Sequence, residues 1–380
     1  MQRYLSIDVM RGAAIVLMVQ VHFVDNLSSR PPTFGWLYDA STILGALSAP
    51  AFTFLSGVSY FLWVQKQEAQ KRRNRDITRG TLRRGFFLFG LGLAFNFCLW
   101  LPEETFNWDI LTLIGTSFLF LAFARKLPPP VLALMCGMVL IISPLLRTVG
   151  DFRSYWEDNA YTYDFSFRDV LFGYIANGYF PVFPWIIFPV MGYVGGDWMF
   201  RCRPEVTRWR ACALGVGLMA LSGVCVAFGT HLPHSLARHY ATGFTEFPAS
   251  TEHVLAMIGF NLVCLVLLHR WLDRAENASH VGQLITALTR FSYFSLTVYV
   301  LHHMAILWPL WLYGACTGHA DSTVFWRRAM TAPVAFALAV AFLLACHVLL
   351  IRLERSKKYS LEALMRRVCD GRDPRKPAGG

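Results

Sequence analysis

Ser6-Ile7-Asp8-Val9-Met10-Arg11-Gly12-Ala13-Ala14-Ile15-Val16-Leu17-Met18-Val19-Gln20-Val21-His22-Phe23 is an apolar segment interrupted by a few polar side chains. Its length suits a membrane-crossing helix, which needs about 20 mainly apolar residues. On such a helix the step from Arg11 to His22 turns about 1100°, roughly 20° past three full turns, and rises about 16 Å. The two side chains therefore share one face, Arg11 near one end of the span and His22 in its farther half. Ionisable groups inside a membrane are costly and usually face a protein interior or a wet cavity. The pair suggests chemistry reached from both sides of a bilayer.

The rest of the chain reads the same way. Hydrophobic residues make up 55% and charged residues 16%, against about 25% charged in an ordinary soluble domain. Mean hydropathy is +0.42. Apolar runs recur near 7–27, 42–64, 83–101, 108–124, 131–147, 180–200, 211–229, 253–272, 291–313 and 329–351. These predict an all-α, polytopic integral membrane bundle of about ten transmembrane helices. Pro181, Pro184 and Pro189 predict a kinked or broken sixth helix, tolerated where it borders a cavity or another helix. Residues 1–355 are expected to form a single transmembrane domain, followed by a basic tail over 356–380.

Charge fixes the orientation. Lys66, Lys71, Arg72, Arg73, Arg75, Arg79, Arg83 and Arg84 crowd one loop, and later basic loops fall on the same side. The alternate loops carry acidic and aromatic residues such as Glu103, Glu104, Tyr161, Tyr163 and Asp164. By the positive-inside rule both termini are cytoplasmic. The net charge of +11 is thus a topology and lipid signal rather than a nucleic-acid one. The nine cysteines form no CxxC pair, and Cys98, Cys136, Cys212, Cys225, Cys264 and Cys346, in apolar stretches, read as small buried hydrophobes. The His231-x-x-His234 pair in an outer loop lacks Cys or Glu support, so no metal is expected.

Several side chains could carry chemistry. Neutral His22 can accept a proton near neutral pH, and Asp25 or Asn26, one turn on, could hold its other ring nitrogen. The alternative is a histidine that only packs helices together. Arg11 suits either a phosphate-binding role or a snorkelling anchor beside Asp8. Arg79, Arg83 and Arg84 suit a phosphorylated cytoplasmic ligand, although such runs often only set topology. His302 and His303 are adjacent, and residues 100° apart on a helix predict that at most one enters a site. Asp109 heads the fourth span, where it would complement a helix N-terminus. Tyr155, Trp156, Tyr161 and Tyr163 read as an interfacial belt or as a platform for a sugar.

Arg11-x10-His22 resembles the R-x10-H signature of acyltransferase family 3 membrane proteins. The wider Ser6-Ile7-Asp8…Arg11-Gly12…Met18…His22 pattern is closer to the bacterial proteins similar to heparan-α-glucosaminide N-acetyltransferase. Ala49-Pro50-Ala51-Phe52-Thr53-Phe54-Leu55-Ser56-Gly57, Phe183-Pro184-Trp185…Gly192-Tyr193 and Leu296-Thr297-Val298-Tyr299…His302 resemble later motifs of that group. The resemblance implies transfer of an acetyl group from cytoplasmic acetyl-CoA to an extracytoplasmic saccharide or glycolipid, in a bacterial cytoplasmic (inner) membrane. It makes His22 the catalytic histidine, with Arg11 on the donor side. Asp25 is expected to support His22, Arg79, Arg83 and Arg84 to bind the donor with Arg11, and His302, Trp185 and Asp109 to bind the acceptor. Membrane lipid is an expected partner, nucleic acid is not, and a homodimer is compatible. The rival reading is a transporter or lipid/glycan flippase, for which the broken helix would line the path.

Overall fold

The computed structural model describes residues 4–29, 35–100, 102–157, 160–201, 205–233, 236, 240, 243–273, 282–318, 322–356 and 359–370. His234 lies outside them. In chain order the principal helices are α1 (Leu5–Leu27), α2 (Gly35–Gly45), α3 (Ser48–Ala69), α4 (Asn74–Phe95) and α5 (Ile110–Ala124). Then come α6 (Pro129–Val149), α7 (Ile187–Phe200), α8 (Glu205–Phe228), α9 (Thr251–Leu272) and α10 (Gln283–Tyr293). The last are α11 (Ser295–Thr317), α12 (Ser322–Ala329), α13 (Ala332–Ser356) and α14 (Leu361–Asp370). The one sheet among the described residues is a two-stranded antiparallel ladder pairing Trp156 with Tyr161. Nine helical stretches among the described residues are long and apolar enough to cross a bilayer, and α5 is a shorter apolar helix. The protein is a polytopic helical membrane protein.

The chain divides into two compact units, Thr53–Leu267 and Gln2–Phe52 with Leu268–Gly380. In the first, small residues let helices meet backbone to backbone, as membrane helix contacts favour. A Cβ on Gly57 would lie 1.9 Å from the Pro189 carbonyl oxygen, and one on Gly192 the same distance from that of Phe54. These two reciprocal contacts lock α3 against α7. A Cβ on Gly115 would come 2.6 Å from the Phe89 nitrogen, which seats α5 on α4 in the same way.

The broken sixth span is present. Residues Val182–Trp185 form a short turn with Phe183 outside helical geometry (φ −103°, ψ 119°) before α7 begins at Ile187. Pro184 has no N–H to donate and Pro189 lies in the first turn of α7, where the missing donor costs little. Around this break, Trp185 is fully buried and its ring centre lies 4.9 Å from Phe180 and 5.3 Å from Phe188.

In the second unit α1 is the central element, packed by α2, α10, α11, α12 and α13. Ile7, Met10, Ala14, Ile15, Met18, Val19 and Phe23 are buried along it. Gly12 has no room for a side chain, since a Cβ would sit 2.2 Å from the Leu288 carbonyl oxygen of α10. The start of α1 is held by Asp273, which accepts from the Ser6 backbone N–H at 3.1 Å and from the Ser6 hydroxyl. His269 Nδ1 meets the same carboxylate at 2.7 Å. Burial pushes the Asp273 carboxyl up, but the hydrogen bonds from His269 and Ser6 outweigh it and hold it below its usual range.

The basic tail is structured over α14. Glu362 receives the backbone N–H groups of Leu296 and Thr297 at 2.7 and 2.9 Å and the Thr297 hydroxyl at 2.7 Å. The opening N–H groups of α11 have no partners within that helix, so this carboxylate answers them and complements the helix dipole.

Candidate active site

α1 and α11 bring three imidazoles together. His22 Nδ1 lies 2.9 Å from His302 Nε2, and the two rings stack at 5.1 Å. The His303 ring meets His22 edge-on at 4.8 Å. His302 and His303 are buried and His22 is half-buried. Both histidines of the adjacent pair enter the site, where at most one was expected. The His302 and His303 rings lie 4.0 Å apart, and the His22 ring faces both.

The tautomers follow from the backbone. His302 Nδ1 is 3.1 Å from the Val298 carbonyl oxygen, and His303 Nδ1 is 3.2 Å from that of Tyr299. A carbonyl only accepts, so both Nδ1 atoms carry protons and, in neutral rings, both Nε2 atoms carry lone pairs. His22 Nδ1 must then donate to His302 Nε2. The lone pair of His22 is thereby placed on Nε2, which makes no hydrogen bond to any described residue. The chain of contacts runs from His22 through His302 to the Val298 carbonyl.

Asp25 takes another role from the one expected. It accepts from the Tyr38 hydroxyl of α2 at 2.9 Å, and its backbone oxygen accepts from Arg327 of α12 at 2.9 Å. Asn26 donates to the His22 backbone oxygen at 2.8 Å rather than to the ring. Both residues fix the end of α1, and His302 holds the imidazole. Helix spacing made the near neighbours plausible, but a partner 280 residues away lies beyond any periodicity argument.

Arg11 is half-buried and joined to α10. Its Nη1 is 3.5 Å from Ser292 Oγ, which donates to Asp8 Oδ1 at 2.8 Å. Ser292 thus links two residues of α1 that sequence spacing paired directly. In the same unit, Arg290, Tyr293, Glu354, Tyr359, Ser360 and Arg366 line a cavity of about 240 Å³. Within that lining Arg290 pairs with Glu354 at 2.9 Å, and the Arg366 guanidinium sits 5.6 Å from the centre of the Tyr293 ring. These residues carry no motif, and only the docking of α14 assembles them.

The other expected residues belong to the first unit. Arg79 and Arg83 are exposed on α4, while the Arg84 guanidinium lies 4.3 Å over the Trp63 ring. Asp109 is the N-cap of α5, accepting from the Leu111 N–H at 2.5 Å. Trp185 is core, with His253 6.4 Å from its ring. His253 is fully buried, neither ring nitrogen has a hydrogen-bond partner among the described residues, and Glu252 and Arg147 beside it in sequence and fold are buried too. Arg147 donates to the Ala249 backbone oxygen at 2.7 Å. Tyr155 and Tyr161, read as a belt or a sugar platform, are packed inward, and burial raises the Tyr161 hydroxyl above its ordinary range.

Residues 3–222 match the family model described as heparan-alpha-glucosaminide N-acetyltransferase, catalytic. The match contains Arg11 and His22 and ends before His302 and His303. No curated protein matches the chain.

Proposed function

The chain belongs to the heparan-alpha-glucosaminide N-acetyltransferase catalytic family, and from that premise we propose that it transfers an acetyl group from cytoplasmic acetyl-CoA to a hydroxyl or amine of an extracytoplasmic saccharide or glycolipid. The observation that carries this reading is the polarised His22. With its Nδ1 proton committed to His302, Nε2 offers a lone pair on a half-buried ring, the form a general base or a nucleophile needs.

The basic loop before α4 puts the Arg11 end of α1 on the cytoplasmic side. Arg11, and separately the cavity lined by Arg290 and Arg366, suit the phosphates of the donor; Arg79, Arg83 and Arg84 remain donor-binding candidates. His22 lies farther along α1, toward the acceptor. There it either removes the acceptor proton for direct attack on the thioester or takes the acetyl itself on Nε2, releasing CoA thiolate, before passing it on. Trp185 stays proposed on the acceptor side through the motif that resembles the family, and Asp109 through its place at the head of α5. The likeness to bacterial proteins supports a cytoplasmic (inner) membrane location.

Purified protein incubated with labelled acetyl-CoA and a panel of amino sugars and lipid-linked saccharides tests the reading. Label must reach an acceptor with wild-type protein and not with His22→Ala. A folded His22→Ala protein with undiminished transfer sinks the assignment.

A further inference from the structure

From the same three rings we infer that His22, His302 and His303 form a binding site for a borderline-soft divalent cation such as Zn²⁺ or Co²⁺, and that its occupation silences His22. One nitrogen from each ring lies within 4.8 Å of the others. His302 and His303 both present Nε2, because each Nδ1–H is fixed on a carbonyl of its own helix. That is the preparation seen in metal-ligating histidines, where the second nitrogen donates to a backbone carbonyl or carboxylate and fixes ring and tautomer. Imidazole nitrogens suit zinc, cobalt, nickel and copper.

The rings must shift on binding, because the three nitrogens lie within 4.8 Å of one another and the widest pair closes by up to about 1.5 Å to reach tetrahedral spacing. Zn–N bonds of about 2.0–2.1 Å in a tetrahedron separate neighbouring nitrogens by roughly 3.3 Å. His22 Nδ1 and His302 Nε2, at 2.9 Å, need to part by a few tenths of an ångström. A half-buried ring on α1 permits that. Three imidazoles leave a fourth position for water.

Binding changes the protonation of one ring only. His302 and His303 already offer lone pairs, whereas His22 holds a proton on Nδ1. When the cation takes that position the proton moves from Nδ1 to Nε2, with no net release. His22 is then left with an N–H where the base or nucleophile stood. This inhibitory consequence rests on the acyl-transfer reading; the cation site does not.

The test uses the full-length protein in detergent, stripped with chelator and dialysed against Zn²⁺ or titrated with Co²⁺ in the absence of donor and acceptor. The expected result is one cation per chain, with the visible ligand-field spectrum of a low-coordinate Co²⁺–imidazole site. His303→Ala and His303→Gln are each expected to weaken binding at least tenfold, while the exposed His231→Ala control keeps it. Thermal unfolding of each variant identifies any that fails to fold, and the Gln variant then decides. No stoichiometric binding by wild type overturns the inference, as does binding that survives loss of His303. A protein that binds the cation but moves no acetyl group sinks only the proposed function. One that moves acetyl and is not inhibited as Zn²⁺ occupies the site sinks the silencing.

Discussion

Ser292 Oγ stands between Asp8 and Arg11, donating to the carboxylate at 2.8 Å and facing the guanidinium at 3.5 Å. Helix α10 thus grips α1 through a hydroxyl at the end where the donor is proposed to arrive. Ser292→Ala removes this link and leaves the histidines untouched. It is expected to raise KM for acetyl-CoA with little change in kcat, checked by steady-state kinetics at varied donor. A fall in kcat alone contradicts a donor-side role for Arg11.

On the proposed reading His302 is a positioning residue, acting through its contact with His22 Nδ1 at 2.9 Å. General acid–base catalysis is worth about 10²–10⁴-fold, so His22→Ala should cost turnover in that range. His302→Ala should cost less, shift the pH profile of kcat, and leave KM nearly unchanged. His302→Gln, whose amide oxygen can accept from His22 Nδ1, should recover part of the loss. A purely structural His302 would lower active protein without moving the profile.

Gly12 marks the tightest approach of α1 to α10. Gly12→Ala places a methyl 2.2 Å from a carbonyl oxygen where one helix must move. Overpacking of this kind costs about 1–3 kcal/mol, so the unfolding temperature in detergent should drop. Gly217→Ala, which faces open space on α8, is the matched control and should not lower it.

Asp273 gives stability an acid limit. Its carboxyl is held low in the folded protein, so the unfolded state takes up the proton first as pH falls. The stabilisation is complete above the ordinary aspartate range near 3.8 and is lost as pH drops through the lower folded value. The stability gap between wild type and Asp273→Asn should therefore be level at neutral pH and close in strong acid. A gap that widens on acidification reverses the assigned sign.

Glu362 answers three donors at the head of α11, so Glu362→Ala leaves buried hydrogen-bonding groups unmet at about 1–3 kcal/mol each before water or movement relieves them. The variant should unfold at lower temperature and expose α14 to protease. Glu362→Gln, keeping one acceptor oxygen, should fall between.

Much of this protein was legible from hydropathy, because a bilayer demands long apolar helices and states their ends in charge. The break before α7 announced itself through Pro184 and Pro189, whose backbone chemistry is local. His22 stood out for the same reason, a titratable group at a costly depth. Its true partners did not, since Asp25 satisfied the spacing rule and His302 is brought in by tertiary packing alone. Trp185 and Asp109 show a further limit: residue type suggested ligand contact but not that one is buried in the core and the other caps a helix. The cavity beside Tyr293 was invisible because α14 builds it from the tail, where composition signalled only charge.

The separation of His22 from His302 also sets an order of events in the cell. His22 leaves the ribosome in the first helix, and its hydrogen-bonding partner follows 280 residues later, about 14–56 s at ordinary elongation rates of about 5–20 residues per second. For that interval a newborn α1 carries an unanswered imidazole and Arg11 in or beside lipid. The head of the helix that answers the imidazole waits in turn for Glu362, 66 residues after Leu296. Nascent chains stalled before α14 therefore lack the carboxylate that answers the head of α11.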